Sequence, residues 1–125
     1  MLDTNIAIRT ATYPERLSRE ARRAIDRGPV FLSVLCYWEV LVKSMKGKLD
    51  VGDPRVWWLE IVDQLAATIL PIRPDHIGEL AYLPPLHSDP FDRALIAQAR
   101  AEDLTLVTSD GAIAKYAGPH LRILN

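Results

Sequence analysis

Val30-Phe31-Leu32-Ser33-Val34-Leu35-Cys36-Tyr37-Trp38-Glu39-Val40-Leu41-Val42-Lys43-Ser44-Met45-Lys46-Gly47 is the stretch on which the fold turns. Val30 to Ser33 is apolar without alternation, the pattern of a strand covered on both faces, as in parallel sheets. A helix follows from about Leu35 to Lys46 and stops at Gly47. Its apolar stripe is read as Leu35, Trp38, Val42 and Met45, which leaves Glu39 beside a core position, in the first turns after the strand.

Strand and helix signals alternate outward from this unit. Met1-Leu2-Asp3 reads as the end of a short strand, and Glu15 to Arg27 as a helix opened by Pro14 and closed by Gly28. Downstream, Asp53-Pro54 opens a helix through about Ala67, with Asp53 as N-cap. Thr68 to Ile72 is strand-like, and Pro74 to Leu83 is helical up to Pro84-Pro85. Asp89-Pro90 opens a helix to about Asp103, followed by a strand from Leu104 to Thr108. A short helix from Gly111 to Tyr116 and a strand from Leu121 to Leu124 end the chain. Strands alternating with helices imply βαβ units. The expected architecture is one three-layer α/β/α domain over residues 1–125, with a central, mainly parallel five-stranded sheet.

At 125 residues, 49% hydrophobic and 25% charged, the chain is an ordinary globular domain with one core. The lone cysteine, Cys36, allows no internal disulfide and reads as a small buried hydrophobe. The N-terminus lacks the pattern of a signal peptide, and no apolar run is long enough to span a bilayer. A soluble, cytoplasmic protein without a membrane partner is expected. Net charge is -1, from 15 basic and 16 acidic residues, which disfavours a strongly basic nucleic-acid binder. Committing four acids to a metal leaves a balance of about +3, compatible with holding a phosphate backbone around a neutralised pit.

Parallel sheets bind ligands outside the carboxyl ends of their strands. Asp3 and Asp110 both fall at such ends, and Glu39 follows another. Asp92 begins the helix that feeds the Asp110 strand, so its arrival at the same edge depends on that helix crossing the whole sheet. Capping explains part of the pattern: Asp89 suits an N-cap, Asp92 the first helical turn, and Ser109-Asp110-Gly111 a turn. Several carboxylates in one place repel unless a cation neutralises them, and oxygen-only ligands suit Mg²⁺ or Mn²⁺. Such a cation can activate water and offset charge at a scissile phosphate. Among the three histidines, His87 in His87-Ser88-Asp89 could mimic half of a metal pair, but without companions it reads as a surface or hydrogen-bonding residue. Glu39, Lys43 and Lys46 share one helix face, so the lysines could take phosphates or simply be solvated, and Arg93 could neutralise the acids or contact substrate. A receiver-like signalling module is the competing α/β reading. It fits poorly, with a single Asp after the first strand, Pro71-Ile72-Arg73 after the third and no Lys after the last.

Leu2-Asp3-Thr4-Asn5, Tyr37-Trp38-Glu39-Val40 through Gly47-Lys48-Leu49, His87-Ser88-Asp89-Pro90-Phe91-Asp92-Arg93 with Leu95-Ile96-Ala97-Gln98-Ala99, and Leu106-Val107-Thr108-Ser109-Asp110 together resemble the PIN-domain family, most closely its VapC-type toxins. The resemblance covers essentially the whole chain. It implies a Mg²⁺- or Mn²⁺-dependent ribonuclease with Asp3, Glu39, Asp92 and Asp110 as the metal site. Thr4, Asn5, Thr108 and Ser109 match polar positions that orient the acids, and Asp89 matches a common family residue. A homodimer and a cognate antitoxin that blocks the site are also implied, with a binding-only relative as the non-catalytic alternative. Only Met1 and Leu2 precede the first acid, fewer apolar residues than the family usually carries, so the strand before Asp3 is expected to be short.

Overall fold

Backbone hydrogen bonds made by the first three residues explain where Asp3 ends up. In the computed structural model, which describes residues 1–125, Leu2 N–H donates to Phe31 O at 3.1 Å and Asp3 N–H to Val107 O at 3.0 Å. Val107 N–H returns to Met1 O at 2.8 Å, and Leu2 and Val107 form a parallel bridge. On one side, β1 (Phe31–Ser33) pairs in parallel with β2 (Thr68–Leu70). On the other, β3 (Leu106–Val107) pairs in parallel with β4 (Ile123–Leu124). The five-stranded sheet expected from the sequence is thus represented by two short parallel pairs and one bridge. All of it is parallel, as the unbroken apolar runs require.

Helices lead away from the carboxyl ends. α1 (Thr4–Thr12) follows Asp3 directly, and the sequence reading assigned no element there. Five of its nine residues are β-branched, which lowers helix propensity and hides it from local signals. Tertiary packing overrides this, because Thr4, Ile6, Ala7 and Thr10 form a buried helical stripe. The helix read from Glu15 to Arg27 is split: Pro14–Arg16 is a 3₁₀ turn, and α2 (Arg19–Arg27) starts at a new N-cap, Ser18. Gly28 closes α2 with φ +50, a left-handed conformation that a side chain would strain.

α3 (Val34–Met45) is capped by Ser33 and followed by Gly47 at φ +68. Its stripe departs from the expected one. Leu35, Cys36, Glu39 and Val40 are buried, whereas Trp38 and Met45 are 59% and 79% exposed. Glu39 therefore points into the molecule instead of standing beside the core. A buried carboxylate is tolerated only with partners, and Glu39 has them. Trp38 instead packs edge-on against Phe91 at the surface, with ring centroids 5.1 Å apart.

α4 (Pro54–Gln64) buries Trp57, Trp58 and Ile61, and Trp58 stacks on Tyr37 of α3 at 5.0 Å. The helix read from Pro74 to Leu83 is α5 (Pro74–Glu79) followed by a 3₁₀ turn at Leu80–Tyr82. α6 (Pro90–Ala101) contributes Leu95, Ile96, Ala97, Gln98 and Ala99 to the interior. Full burial of a side chain such as Leu95 or Ile96 stabilises the fold by about 1.5–3 kcal/mol each. α7 (Gly111–Ala114) is a single turn capped by Asp110. No helix is long and apolar enough to cross a membrane.

Candidate functional site

α6 resolves the question of Asp92. A crossover helix between parallel strands begins at the carboxyl edge of one and ends at the amino edge of the next. At twelve residues, α6 spans about 18 Å, enough to cross the sheet. Its first turn, with Asp92, thus lies near the ends of Met1–Asp3 and β3.

Asp3 is 1% exposed and uses both carboxylate oxygens. Oδ1 accepts from Ile6 N–H at 2.7 Å, capping α1, and Oδ2 accepts the Thr108 hydroxyl. Thr108 Oγ1 in turn accepts from Asp110 N–H at 3.0 Å. Asp110 caps α7 through Ala112 N–H at 2.7 Å, leaving its Oδ2 free of that bond. Glu39, 4% exposed, accepts the Thr4 hydroxyl at 2.8 Å on Oε1 and Lys43 Nζ at 2.6 Å on Oε2. Asp89 caps α6 by accepting from Asp92 N–H at 3.0 Å. Asp92 Oδ2 lies 2.7 Å from His87 Nε2, and that nitrogen is 4.0 Å from Asp110 Oδ2.

Thr108 links Asp3 to Asp110, and His87, Asp92 and Asp110 bring donor atoms within 4.8 Å of one another, so the acids act on one another electrostatically. Burial raises the Asp3 carboxyl pKa above its ordinary range against its two hydrogen bonds, and the charges of Glu39 and Asp110 push it further up. Asp92 is pushed up to about 6, by burial first, then by Asp89 and Glu39, while His87 opposes the shift. Burial acts to lower the Lys43 pKa, but its bond to Glu39 and the charges of Asp89 and Asp92 outweigh this and raise it. The carboxylates thus repel one another and hold Lys43 as a partial counter-charge. Hard oxygen donors under mutual repulsion suit a divalent cation such as Mg²⁺ or Mn²⁺.

The other residues singled out in the sequence are less uniform. Thr4 and Thr108 bond the acids directly. Ser109 Oγ accepts from Arg9 Nη1 at 2.9 Å, whereas Asn5 is exposed and bonds none of the acids. Lys46 is exposed at the end of α3. Arg93 Nη1 is occupied by Pro84 O, His87 O and the Tyr116 hydroxyl. Arg9 has no role in the sequence reading, and His87, read there as a surface or hydrogen-bonding residue, instead stands beside Asp92 and Asp110. The available signal for His87 was its place on the loop just before the Asp89 cap.

Two further groups have structural explanations. Cys36 is fully buried, its thiol pKa is pushed up to about 12 by burial, and Sγ donates to Leu2 O at 3.8 Å, so it is no thiolate nucleophile. Asp75, His76 and Glu102 also converge. There His76 Nδ1 accepts from Arg73 N–H at 3.0 Å, Nε2 meets Glu102 at 2.6 Å, and Arg73 already pairs with both acids. With both ring nitrogens in use, this group ties α5 to the end of α6.

The PIN domain family model matches residues 1–119. The chain belongs to the PIN domain family. This PIN domain is 25% identical over 121 residues to Ribonuclease VapC22 of Mycobacterium tuberculosis (strain ATCC 25618 / H37Rv), covering 95% of this chain and 92% of that one. Its fold is similar to that of VapBC2 from Rickettsia felis bound to a promoter DNA fragment, with TM-score 0.72, 17% identity and coverage of 100% and 96%. It is also similar to a toxin–antitoxin complex from Klebsiella pneumoniae, with TM-score 0.62, 22% identity and coverage of 96% and 92%. At these identities the two structures speak to the PIN-like α/β fold alone.

Proposed function

We propose that this PIN domain is a divalent-metal-dependent endoribonuclease acting as the toxin of a toxin–antitoxin pair. The observation that carries this reading is the convergence of Asp3, Glu39, Asp92 and Asp110, from four separate parts of the chain, on one mutually repelling cluster. In this reading, residues 1–125 form one domain, and the two strand pairs with Met1–Asp3 between them act as a single five-stranded sheet that presents the cluster at its carboxyl edge.

Asp3, Glu39, Asp92 and Asp110 would hold Mg²⁺ or Mn²⁺, which when bound supplies activated water and offsets charge on the scissile phosphodiester. The chain itself fixes the acids. Thr108 and Ile6 N–H lock Asp3, Thr4 locks one oxygen of Glu39, and Ala112 N–H fixes Asp110. Arg9 holds Ser109 and so steadies the β3–α7 turn. Lys43 and Lys46 are the candidate phosphate contacts of α3, and Lys43 becomes available as a cation replaces it on Glu39.

RNA is the proposed substrate, and a cognate antitoxin and a second copy of the chain are the proposed protein partners. The relatives named above are a ribonuclease and toxin–antitoxin complexes, which supports this assignment. An apolar groove of about 670 Å³, lined by Val34, Trp38, Ile72, Ile77, Phe91 and Ala94, has the composition expected of a surface for protein contact.

RNA cleavage by the purified protein, followed with Mg²⁺, with Mn²⁺ and in excess chelator, tests the reading. Cleavage is expected only with metal, and Asp3→Asn is expected to abolish it. Equal cleavage in chelator would overturn the metal-dependent mechanism.

A further inference from the structure

We propose that His87 is a nitrogen ligand of the metal centre, completing with Asp92 and Asp110 a mixed nitrogen–oxygen set that favours Mn²⁺ over Mg²⁺. The proposal rests on the nuclease reading above and adds to its four acids a residue of a different chemical type.

The geometry is that of donors around one ion. His87 Nε2 is 2.7 Å from Asp92 Oδ2 and 4.0 Å from Asp110 Oδ2, and one donor atom from each residue lies within 4.8 Å of the others. Donors about 2.1 Å from a common cation stand about 3 Å apart at right angles and about 4.2 Å apart when opposite. The 2.7 Å separation is at present a hydrogen bond between Nε2 and Asp92 Oδ2, so a cation would take the place of the shared proton, and both separations lie close to those of donors around one ion.

The loop that carries the imidazole is also held in place through its backbone. Arg93 Nη1 donates to His87 O at 3.3 Å and to Pro84 O at 3.0 Å. The Tyr116 hydroxyl donates to Pro84 O at 2.9 Å and accepts from Leu86 N–H at 3.1 Å. The loop that carries His87 is therefore pinned at Pro84, Leu86 and His87 by side chains from α6 and from just after α7. All of these contacts are made to the loop backbone, so they survive replacement of the His87 side chain. His76 offers no comparable donor: its Nδ1 accepts from Arg73 N–H, so its Nε2 carries the proton given to Glu102, whereas His87 is hydrogen-bonded through Nε2 alone.

A nitrogen ligand has a chemical consequence. Mg²⁺ strongly prefers oxygen and keeps much of its water, whereas imidazole suits first-row transition ions. An all-carboxylate site would discriminate weakly between Mg²⁺ and Mn²⁺, and one imidazole tilts the balance toward Mn²⁺.

Pulsed electron paramagnetic resonance of Mn²⁺ bound to the full chain, with calorimetric titration of Mn²⁺ and Mg²⁺, tests this without RNA. The wild-type protein should show a ¹⁴N coupling from one coordinated imidazole, absent in His87→Ala and in His87→Gln. Mn²⁺ affinity should fall by about tenfold or more in both variants, with Mg²⁺ affinity much less affected. Bound Mn²⁺ without ¹⁴N coupling in the wild type, coupling that persists in the variants, or equal losses for both metals would overturn the inference. The wild-type spectrum decides the matter even where a variant fails to fold. No Mn²⁺ binding by the wild type would overturn the metal-nuclease reading itself, whereas binding through oxygen alone overturns only the role of His87.

Discussion

The Thr108 hydroxyl donates to Asp3 Oδ2 while its oxygen accepts from Asp110 N–H at 3.0 Å, so one side chain joins two acids separated by more than a hundred residues. Both Asp3 and Thr108 are 1% exposed. Replacing this hydroxyl by a methyl of similar shape in Thr108→Val leaves a buried carboxylate oxygen and a backbone N–H short of partners. Stability should fall by about 1–3 kcal/mol. Metal affinity should fall by about 10–100-fold, the usual effect of losing a group that orients a ligand. Denaturant midpoints and a Mn²⁺ titration measure the two losses separately.

Asp3→Asn should separate stability from metal binding. Asn caps helices about as well as Asp, so α1 keeps its start. The substitution also removes a charge that Glu39 and Asp110 repel. The lost repulsion is offset by the loss of the oxygen that accepts the Thr108 hydroxyl, so metal-free stability is expected to change little, while the rise in melting temperature on adding Mn²⁺ is lost. Thermal melts with and without metal check this; an undiminished Mn²⁺ shift would remove Asp3 from the site.

The pH dependence of metal-free stability follows from the raised carboxyls. In the fold, Asp92 is pushed up to about 6 from the ordinary value of 3.8, and Asp3 is also raised. The folded state therefore favours the protonated forms. Their contribution is fully present below the unfolded pKa and is lost as pH rises through the folded one. Between about pH 4 and pH 7, wild type should lose stability relative to Asp92→Asn, which cannot ionise there. Over the same window wild-type metal affinity should rise, because the ligands must lose their protons to bind. Unfolding of both proteins in chelator across this range tests the sign, and a flat difference would contradict it.

Lys43 Nζ sits 2.6 Å from Glu39 Oε2, where it partly neutralises a carboxylate that is 4% exposed. Lys43→Met keeps much of the aliphatic stem and removes the charge. Metal-free stability should drop by about 1 kcal/mol, modest because the lysine is partly solvated. Mn²⁺ affinity should hold or increase, since a competitor for Glu39 is gone. RNA affinity should weaken evenly across sequences, with a salt dependence lower by about one phosphate contact. Mn²⁺ affinity that falls in step with stability would show that Lys43 supports the site instead of competing for it.

Several elements could be read locally because their causes are local. Asp53-Pro54 and Asp89-Pro90 each carry an N-cap and a first-turn proline within two residues, and both start helices where expected. Gly28 and Gly47 follow α2 and α3 with positive φ. Val30–Ser33 and Leu104–Thr108 were legible as buried strands because parallel pairing leaves neither face polar, although the strands themselves are shorter. α1 was not legible, since the β-branched Thr4, Ile6, Ile8, Thr10 and Thr12 argue locally against a helix, and only the core beneath them reverses that.

For the candidate site, the amino-acid sequence by itself determined the acids at strand ends, Asp3 and Asp110, because a strand's carboxyl end is a matter of chain direction. The sequence also carried the family resemblance in its spaced motifs. Only the tertiary structure decided that Glu39 faces inward while Trp38 faces out, because the partners that make this burial tolerable, Thr4 and Lys43, come from another helix and from the next turn of α3. It likewise decided that α6 is long enough to bring Asp92 across the sheet. It alone placed His87 between Asp92 and Asp110, because the position of that loop is set by Arg93 and Tyr116 and not by any pattern within the loop.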